Sequence, residues 1–265
     1  MIMNEPAIEV ENFSFAFGNK RILDRVSLKV SAGDYLSIIG PNGAGKTTLI
    51  KCLNRILSGG QGSIKIKGKP LELYSQKELA MAVSYVPQAD GRQLPFTVEE
   101  FVTMGRYPYS SPFSSVSRRD RGIVHRAMEL TATDSFADRT LDSLSGGERQ
   151  KVFIAAAVAQ DADILLLDEP TTFLDYRHQV EIRRLIKDLN RRHGTTIMAV
   201  THDINDAVVS GSRVLALKAG ELLFDGSAQE LISQGLLENI YETSFFLIDH
   251  PRTGRPIITP EETEP

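Results

Sequence analysis

The chain carries one cysteine, Cys52, in 265 residues. No internal disulfide can form, which removes the disulfide-scaffold class and points to a reducing compartment. A basic excess is also missing: 30 Lys and Arg stand against 34 Asp and Glu, a formal net charge of −4. Chains that neutralise phosphate backbones ordinarily show the opposite balance, so no nucleic-acid partner is expected. Long apolar runs are absent too. Ile154–Ala159 and Ile164–Leu167 are among the longest, and a spanning helix needs about 20 predominantly apolar residues. The amino terminus, MIMNEPAIEVEN, has no positive start followed by an apolar stretch, so it does not read as a secretory leader. No internal repeat is visible.

What is present is ordinary globular composition, 42% hydrophobic and 24% charged. The length suggests one or two domains at about 150 residues each. Charge is unevenly spread. Residues 221–265 hold nine acids and two bases, a local −7, which leaves +3 on the first 220. Apolar alternation predicts strands over Ala7–Phe13, Val26–Val30 and Gly62–Ile66. Short apolar strands follow at Tyr35–Ile39, Val83–Val86, Ile164–Asp168 and Thr196–Val200. A helix is expected from Lys46, with Leu49, Ile50, Leu53 and Ile56 on its apolar stripe. Residues 89–160 change character. Thr97 and Glu100 form a capping-box pattern, and helical periodicity covers Arg118–Leu130 and Gly146–Gln160. This reads as a helical subdomain inserted into an α/β core. Further helices are expected at Gln179–His193 and Ile204–Val209, then a hairpin at Arg213–Asp225 and helical segments near 228–241. Residues 226–265 form an acidic carboxy-terminal extension.

The sharpest chemical signal is Gly40-Pro41-Asn42-Gly43-Ala44-Gly45-Lys46-Thr47. Spaced glycines followed by Gly-Lys-Thr, between a predicted strand and a predicted helix, make a phosphate-binding loop. The glycines let backbone N–H groups turn inward onto an anion, and the helix adds its partial positive charge. Lys46 reaches the β- and γ-phosphates, and the Thr47 hydroxyl can ligate Mg²⁺. Downstream, the apolar strand Ile164–Leu167 ends in Asp168 and Glu169. Two acids after a strand are on their own a solvated loop. Beside a phosphate loop, Asp168 suits Mg²⁺ and Glu169 suits orienting or deprotonating an attacking water. A second Gly-rich helix start stands at Leu144-Ser145-Gly146-Gly147-Glu148-Arg149-Gln150.

In this order, the three motifs resemble an ATP-binding cassette (ABC) ATPase. The resemblance covers about residues 6–225. It implies an α/β P-loop NTPase core with an inserted α-helical subdomain and an N-terminal antiparallel β subdomain, all one cassette over 1–265. It also implies the remaining site residues. Gln88, after a short strand and Pro87, matches the glutamine that senses Mg²⁺ and water. His202 in Val200-Thr201-His202-Asp203 matches the γ-phosphate histidine. Asp175 matches the loop that crosses the dimer interface, here Thr-Thr-Phe-Leu-Asp instead of the commoner Ser-Ala-Leu-Asp. Phe17, before Gly18, matches the aromatic that stacks on adenine, although Phe13 and Phe15 lie close by. Thr48 joins the phosphate loop. Ser145, Gly146, Gly147 and Gln150 supply the second site, which in the family acts in trans on ATP held by the partner.

The expected working form is therefore a head-to-tail dimer of this chain around two ATP molecules with Mg²⁺. Such a cassette needs membrane permease subunits, whose cytoplasmic helices dock between core and helical subdomain. Met104–Tyr109, Leu174–Gln179 and His250–Pro256 resemble segments of importers of ferric siderophores, haem and cobalamin. That subfamily implies an external solute-binding protein and a peripheral place on the cytoplasmic face of the inner membrane. The stretch Arg106–Arg126, with five arginines and one acid, suits acidic headgroups or the permease, or simply a solvated helix face. A cytosolic assembly ATPase of the iron–sulfur type and an exporter subunit share the ATP-site motifs and stay open. A chromosome-maintenance ATPase does not, because only 122 residues separate Lys46 from Asp168, with no sustained heptads.

Overall fold

A computed structural model describes residues 5–89, 91, 93–111, 116–210, 213–252, 254 and 256–261. Strands β1 (Ile8–Phe17) and β2 (Lys20–Val30) form a long antiparallel hairpin. Strand β3 (Tyr35–Ile39) is buried throughout and leads into helix α1 (Lys46–Leu53). Strands β4 (Gln61–Ile66) and β5 (Lys69–Pro70) complete an antiparallel sheet of order β2-β1-β4-β5. Helix α2 (Gln76–Ala82) precedes β6 (Val83–Val86). Then come α3 (Val98–Met104), α4 (Arg118–Thr131) and α5 (Gly146–Ala159). Alternation resumes with β7 (Ile164–Asp168), α6 (Tyr176–His193), β8 (Thr196–Val200) and α7 (Ile204–Ser210). The hairpin β9 (Arg213–Lys218) and β10 (Glu221–Gly226) follows. The chain closes with α8 (Ala228–Ser233), α9 (Leu236–Tyr241), β11 (Phe245–Asp249) and β12 (Pro256–Pro260).

The central sheet has order β10-β9-β3-β8-β7-β6, and only the β10 edge runs antiparallel. Because β3, β6, β7 and β8 are parallel, their carboxyl ends lie at one edge of the sheet. In open α/β sheets that edge is where ligands bind. The segments leaving those four ends carry the phosphate loop, Gln88, Asp168–Glu169 and His202. Burial on both faces explains why these strands read as continuous apolar runs. One core joins the antiparallel sheet, α1 and the central sheet through Ile8, Leu23, Leu49, Leu166 and Leu215. Another gathers α3, α4 and α5 around Val98, Val124, Met128 and Val152. A further one packs Ile39 and Val214 against Leu231, Leu237, Ile240 and Ile258 of the carboxy-terminal elements.

Several boundaries differ from expectation. Helix α1 stops at Leu53, because Arg55 turns into a positive φ of 53°, so Ile56 is exposed instead of on the buried stripe. Helix α6 begins three residues earlier than predicted, because the Asp175 carboxylate accepts from the His178 N–H and caps it. Helix α2 and the β11–β12 hairpin were not expected. Arg106 is not part of a solvent-facing basic stretch. It is buried, donates to the Ala159 carbonyl at 2.7 Å and to Asp120 at 2.9 Å, and covers the Tyr109 ring at 3.8 Å. Arg118, Arg119, Arg121 and Arg126 remain exposed on α4. Residues 112–115 of the preceding loop, and Thr253 and Arg255 of the His250–Pro256 segment, lie outside the described residues.

Candidate nucleotide site

The loop after β3 closes on itself before it meets α1. Gly40 has φ 140°, and a Cβ there would sit 2.0 Å from the Leu217 carbonyl oxygen, so no other residue fits. The Lys46 ammonium folds back over the loop and donates to the carbonyls of Gly40 at 2.7 Å and Pro41 at 3.0 Å. Asn42–Thr48, Lys20–Ile22, Glu169 and Ala219 line a cavity of about 520 Å³. Burial lowers the pKa of Lys46, against an opposing pull from Glu169 and Asp168. Burial raises that of Asp168, although the hydrogen bonds from Thr47 and Tyr85 counteract it. Each charge is thus under-solvated, and a ligand of opposite charge relieves that cost.

Asp168 ends β7 almost fully buried and receives the Thr47 hydroxyl at 2.8 Å and the Tyr85 hydroxyl at 3.3 Å. Glu169 follows in the left-handed region, φ 51°, with its N–H donated to the Val200 carbonyl at 3.1 Å. A non-glycine residue held there is a local strain that persists only where neighbours fix it. The turn aims the Glu169 carboxylate back along the sheet edge. Its Oε2 collects Gln88 Nε2 at 2.9 Å and the Thr172 hydroxyl at 2.9 Å, and Nδ1 of His202 lies 3.4 Å away. Three residues expected from sequence, Gln88, Glu169 and His202, therefore meet at one oxygen. Thr172 and Tyr85 were missed. Each is one hydroxyl among many, and only the fold brings it to a carboxylate.

A second cluster stands at the start of α5. Ser145 caps the helix reciprocally with Glu148: each backbone N–H donates to the other's side chain, at 2.8 and 3.3 Å. Gly147 abuts His178, whose ring a Cβ would approach within 2.2 Å. His178 Nδ1 in turn lies 2.9 Å from Asp175 Oδ2. Among the described residues, Ser145, Gly146, Gly147 and Asp175 do not line the phosphate-loop cavity. Gln150 is also apart from it. Its buried side chain lines a separate cavity of about 370 Å³ with Gln88, Phe153 and Phe173. Phe17 is 52% exposed, whereas Phe13 and Phe15 are core. Phe17 meets Phe15 edge to face at 5.1 Å and keeps an exposed ring surface that a flat ligand can cover.

The ABC transporter family profile matches residues 23–172, more than half of the chain. The chain belongs to the ABC transporter family. As an ATP-binding subunit of that family, it is an ATPase. The iron(3+)-hydroxamate import ATP-binding protein FhuC of Bacillus subtilis (strain 168) is 36% identical over 251 residues, 95% of this chain and 93% of the relative. The ferric enterobactin transport ATP-binding protein FepC of Escherichia coli (strain K12) is 36% identical over 250 residues, 94% and 92%. Among solved structures, an inward-facing metal-chelate type ABC transporter aligns with TM-score 0.85 and 26% identity, covering 97% of this chain and 98% of that one. A dimeric ATP-binding cassette with bound ADP and Pi aligns with TM-score 0.72 and 28% identity, covering 83% and 98%.

Proposed function

We propose that this chain powers uptake of a metal chelate, a ferric siderophore, haem or cobalamin, through a separate membrane permease. The observation that carries this reading is the extent of the likeness to ferric-siderophore import subunits. It runs over more than nine-tenths of both chains, past the matched family region and into the carboxy-terminal elements. No helix among the described residues is long and apolar enough to cross a membrane. A peripheral position on the cytoplasmic face, attached to the permease, follows from that reading, with an external solute-binding protein delivering the chelate.

In this mechanism the loop N–H groups and Lys46 hold the β- and γ-phosphates, and Phe17 stacks on adenine. Thr47, Asp168 and Gln88 form a hard-oxygen set that suits Mg²⁺, which keeps several waters and few carboxylates. The ion's contribution is charge neutralisation on the phosphates. Glu169 accepts a proton from water as its oxygen bonds to the γ-phosphorus and the bond to the β-phosphate oxygen breaks. Gln88 and His202 orient that water and the γ-phosphate. Dimeric cassette structures support a pair of these chains. In the pair proposed here the copies lie head to tail, Ser145, Gly146 and Gly147 of one close over ATP held by the other, and Asp175 stands at the seam.

Uptake decides between the readings. A strain lacking the gene should lose accumulation of radiolabelled ferric siderophore, haem or cobalamin, and the tagged chain should copurify with a polytopic permease. Normal uptake of all three, with soluble scaffold proteins as partners, would favour a cytosolic assembly ATPase.

A further inference from the structure

One side chain reaches the phosphate loop from the far end of the chain. The Gly40 N–H donates to the Tyr241 hydroxyl at 3.1 Å, across 201 positions of sequence. Gly40 is the residue where β3 gives way to the loop, and the Leu217 carbonyl blocks it on the other side. Its own carbonyl accepts from the Lys46 ammonium. Two hydrogen bonds thus connect the last turn of α9 to the site lysine through a single residue.

The carboxy-terminal elements are themselves anchored. Lys218, at the end of β9, donates to the Asn239 carbonyl at 2.5 Å and pairs with Glu242 at 2.8 Å. Asn205 on α7 exchanges two 2.8 Å hydrogen bonds with the backbone of Ile258 in β12. Leu237 and Ile240 pack on Ile39 and Val214. Tyr241 is therefore held from both flanks. Burial pushes its phenol up to about 12, so it stays neutral.

We infer that Tyr241 is a positioning residue for the phosphate-binding loop, through which the carboxy-terminal segment sets how tightly nucleotide is held. The inference rests on the ATPase reading. A buried N–H that loses its acceptor must be re-satisfied. The nearest remedy is a shift of Gly40, and with it of the loop amides and Lys46. The Glu169 carboxylate is itself held by Gln88 and Thr172, which are not part of this chain of hydrogen bonds.

The test uses the full-length protein. Tyr241→Phe should raise KM for ATP and the Kd for ADP about tenfold, as expected for one buried unsatisfied donor, with kcat within twofold of the parent. Leu231→Val, in the same core but on α8 instead of α9, should lower Tm and leave KM at the parental value. Parental KM and Kd in Tyr241→Phe would overturn the inference. So would equal rises in KM in both variants, which would mark a general loss of packing. A parent chain that neither binds nor hydrolyses ATP would instead defeat the ATPase reading itself.

Discussion

At the residue scale, Glu169 is defined by what points at it. Its Oε2 accepts from Gln88 and Thr172, and His202 flanks it. A carboxylate fixed by two donors keeps one oxygen and one orientation for a water proton. Glu169→Gln should lower ATP hydrolysis about 10²–10⁴-fold, the range for losing a general base, while ATP binding persists. With ATP it should elute as a dimer in size-exclusion chromatography, because closure no longer ends in hydrolysis. A variant that turned over ATP at the parental rate would remove Glu169 from this role. Thr172→Val keeps side-chain shape but removes a donor. It should reduce kcat about tenfold or more, in line with one hydrogen bond to a charged acceptor, with KM unchanged in steady-state assays. Gln88, Glu169 and His202 were legible because each sits at a fixed place in a motif after a strand. Thr172 was not, since its role depends on the left-handed turn at Glu169, which no residue type announces.

At the element scale, the parallel strands were legible as apolar runs, and the helices of the 89–160 region as capped, periodic segments. Thr97 caps α3 as its spacing with Glu100 suggests, and α5 starts at the expected Ser-Gly-Gly turn, where Ser145 and Glu148 form a second capping box. The β11–β12 hairpin was hidden for a physical reason: most of β11 is exposed, so its sequence carries no clean alternation. Helix α2 has seven residues, too few for a period to register, but it opens on the same kind of capping box as α3, Ser75 with Glu78, so that signal was present in the sequence. The junction between α5 and α6 was also invisible, since Gly147 and His178 meet only in three dimensions. That contact carries a prediction. Gly147→Ala places a methyl within 2.2–2.7 Å of the His178 side chain, so the two helix starts must separate or His178 must leave Asp175. A displacement of about 1 Å at a positioning element can cost about 10²-fold in rate. The variant should lose ATPase activity on that order while Tm moves only a few degrees. Parental activity would show that the α5 start tolerates displacement and does not close over nucleotide.

At the scale of the whole molecule, the net charge of −4 conceals an ordered set of charges. Many carboxylates are bound by helix starts or cations and so hold their protons less tightly than in the unfolded chain. Hydrogen bonds from Ser75 and Lys69 push Glu78 down to about 2. Ser145 and Ser227 lower Glu148 and Glu230 in the same way, and His178 lowers Asp175. Lys29 and Lys65 lower Glu9. A carboxylate with a depressed folded-state pKa stabilises fully above its unfolded value, about 4, and loses that contribution as pH falls through the folded value. The stability of this chain should therefore be level from pH 7 to about 5 and decline between about 4.5 and 2. Thermal melts followed by far-UV circular dichroism across that range check the window. High salt separates the two causes. Of the two lysine partners of Glu9, Lys29 is exposed and Lys65 half-buried, and their coulombic attraction is screened within a few ångströms at about 1 M salt, whereas the serine caps are hydrogen bonds within one turn. Adding salt at neutral pH should weaken the lysine pairings of Glu9 and Glu78 more than the serine caps, and the acid decline should persist. A Tm at pH 3 equal to that at pH 7 would mean that these caps and pairs do not contribute to folding.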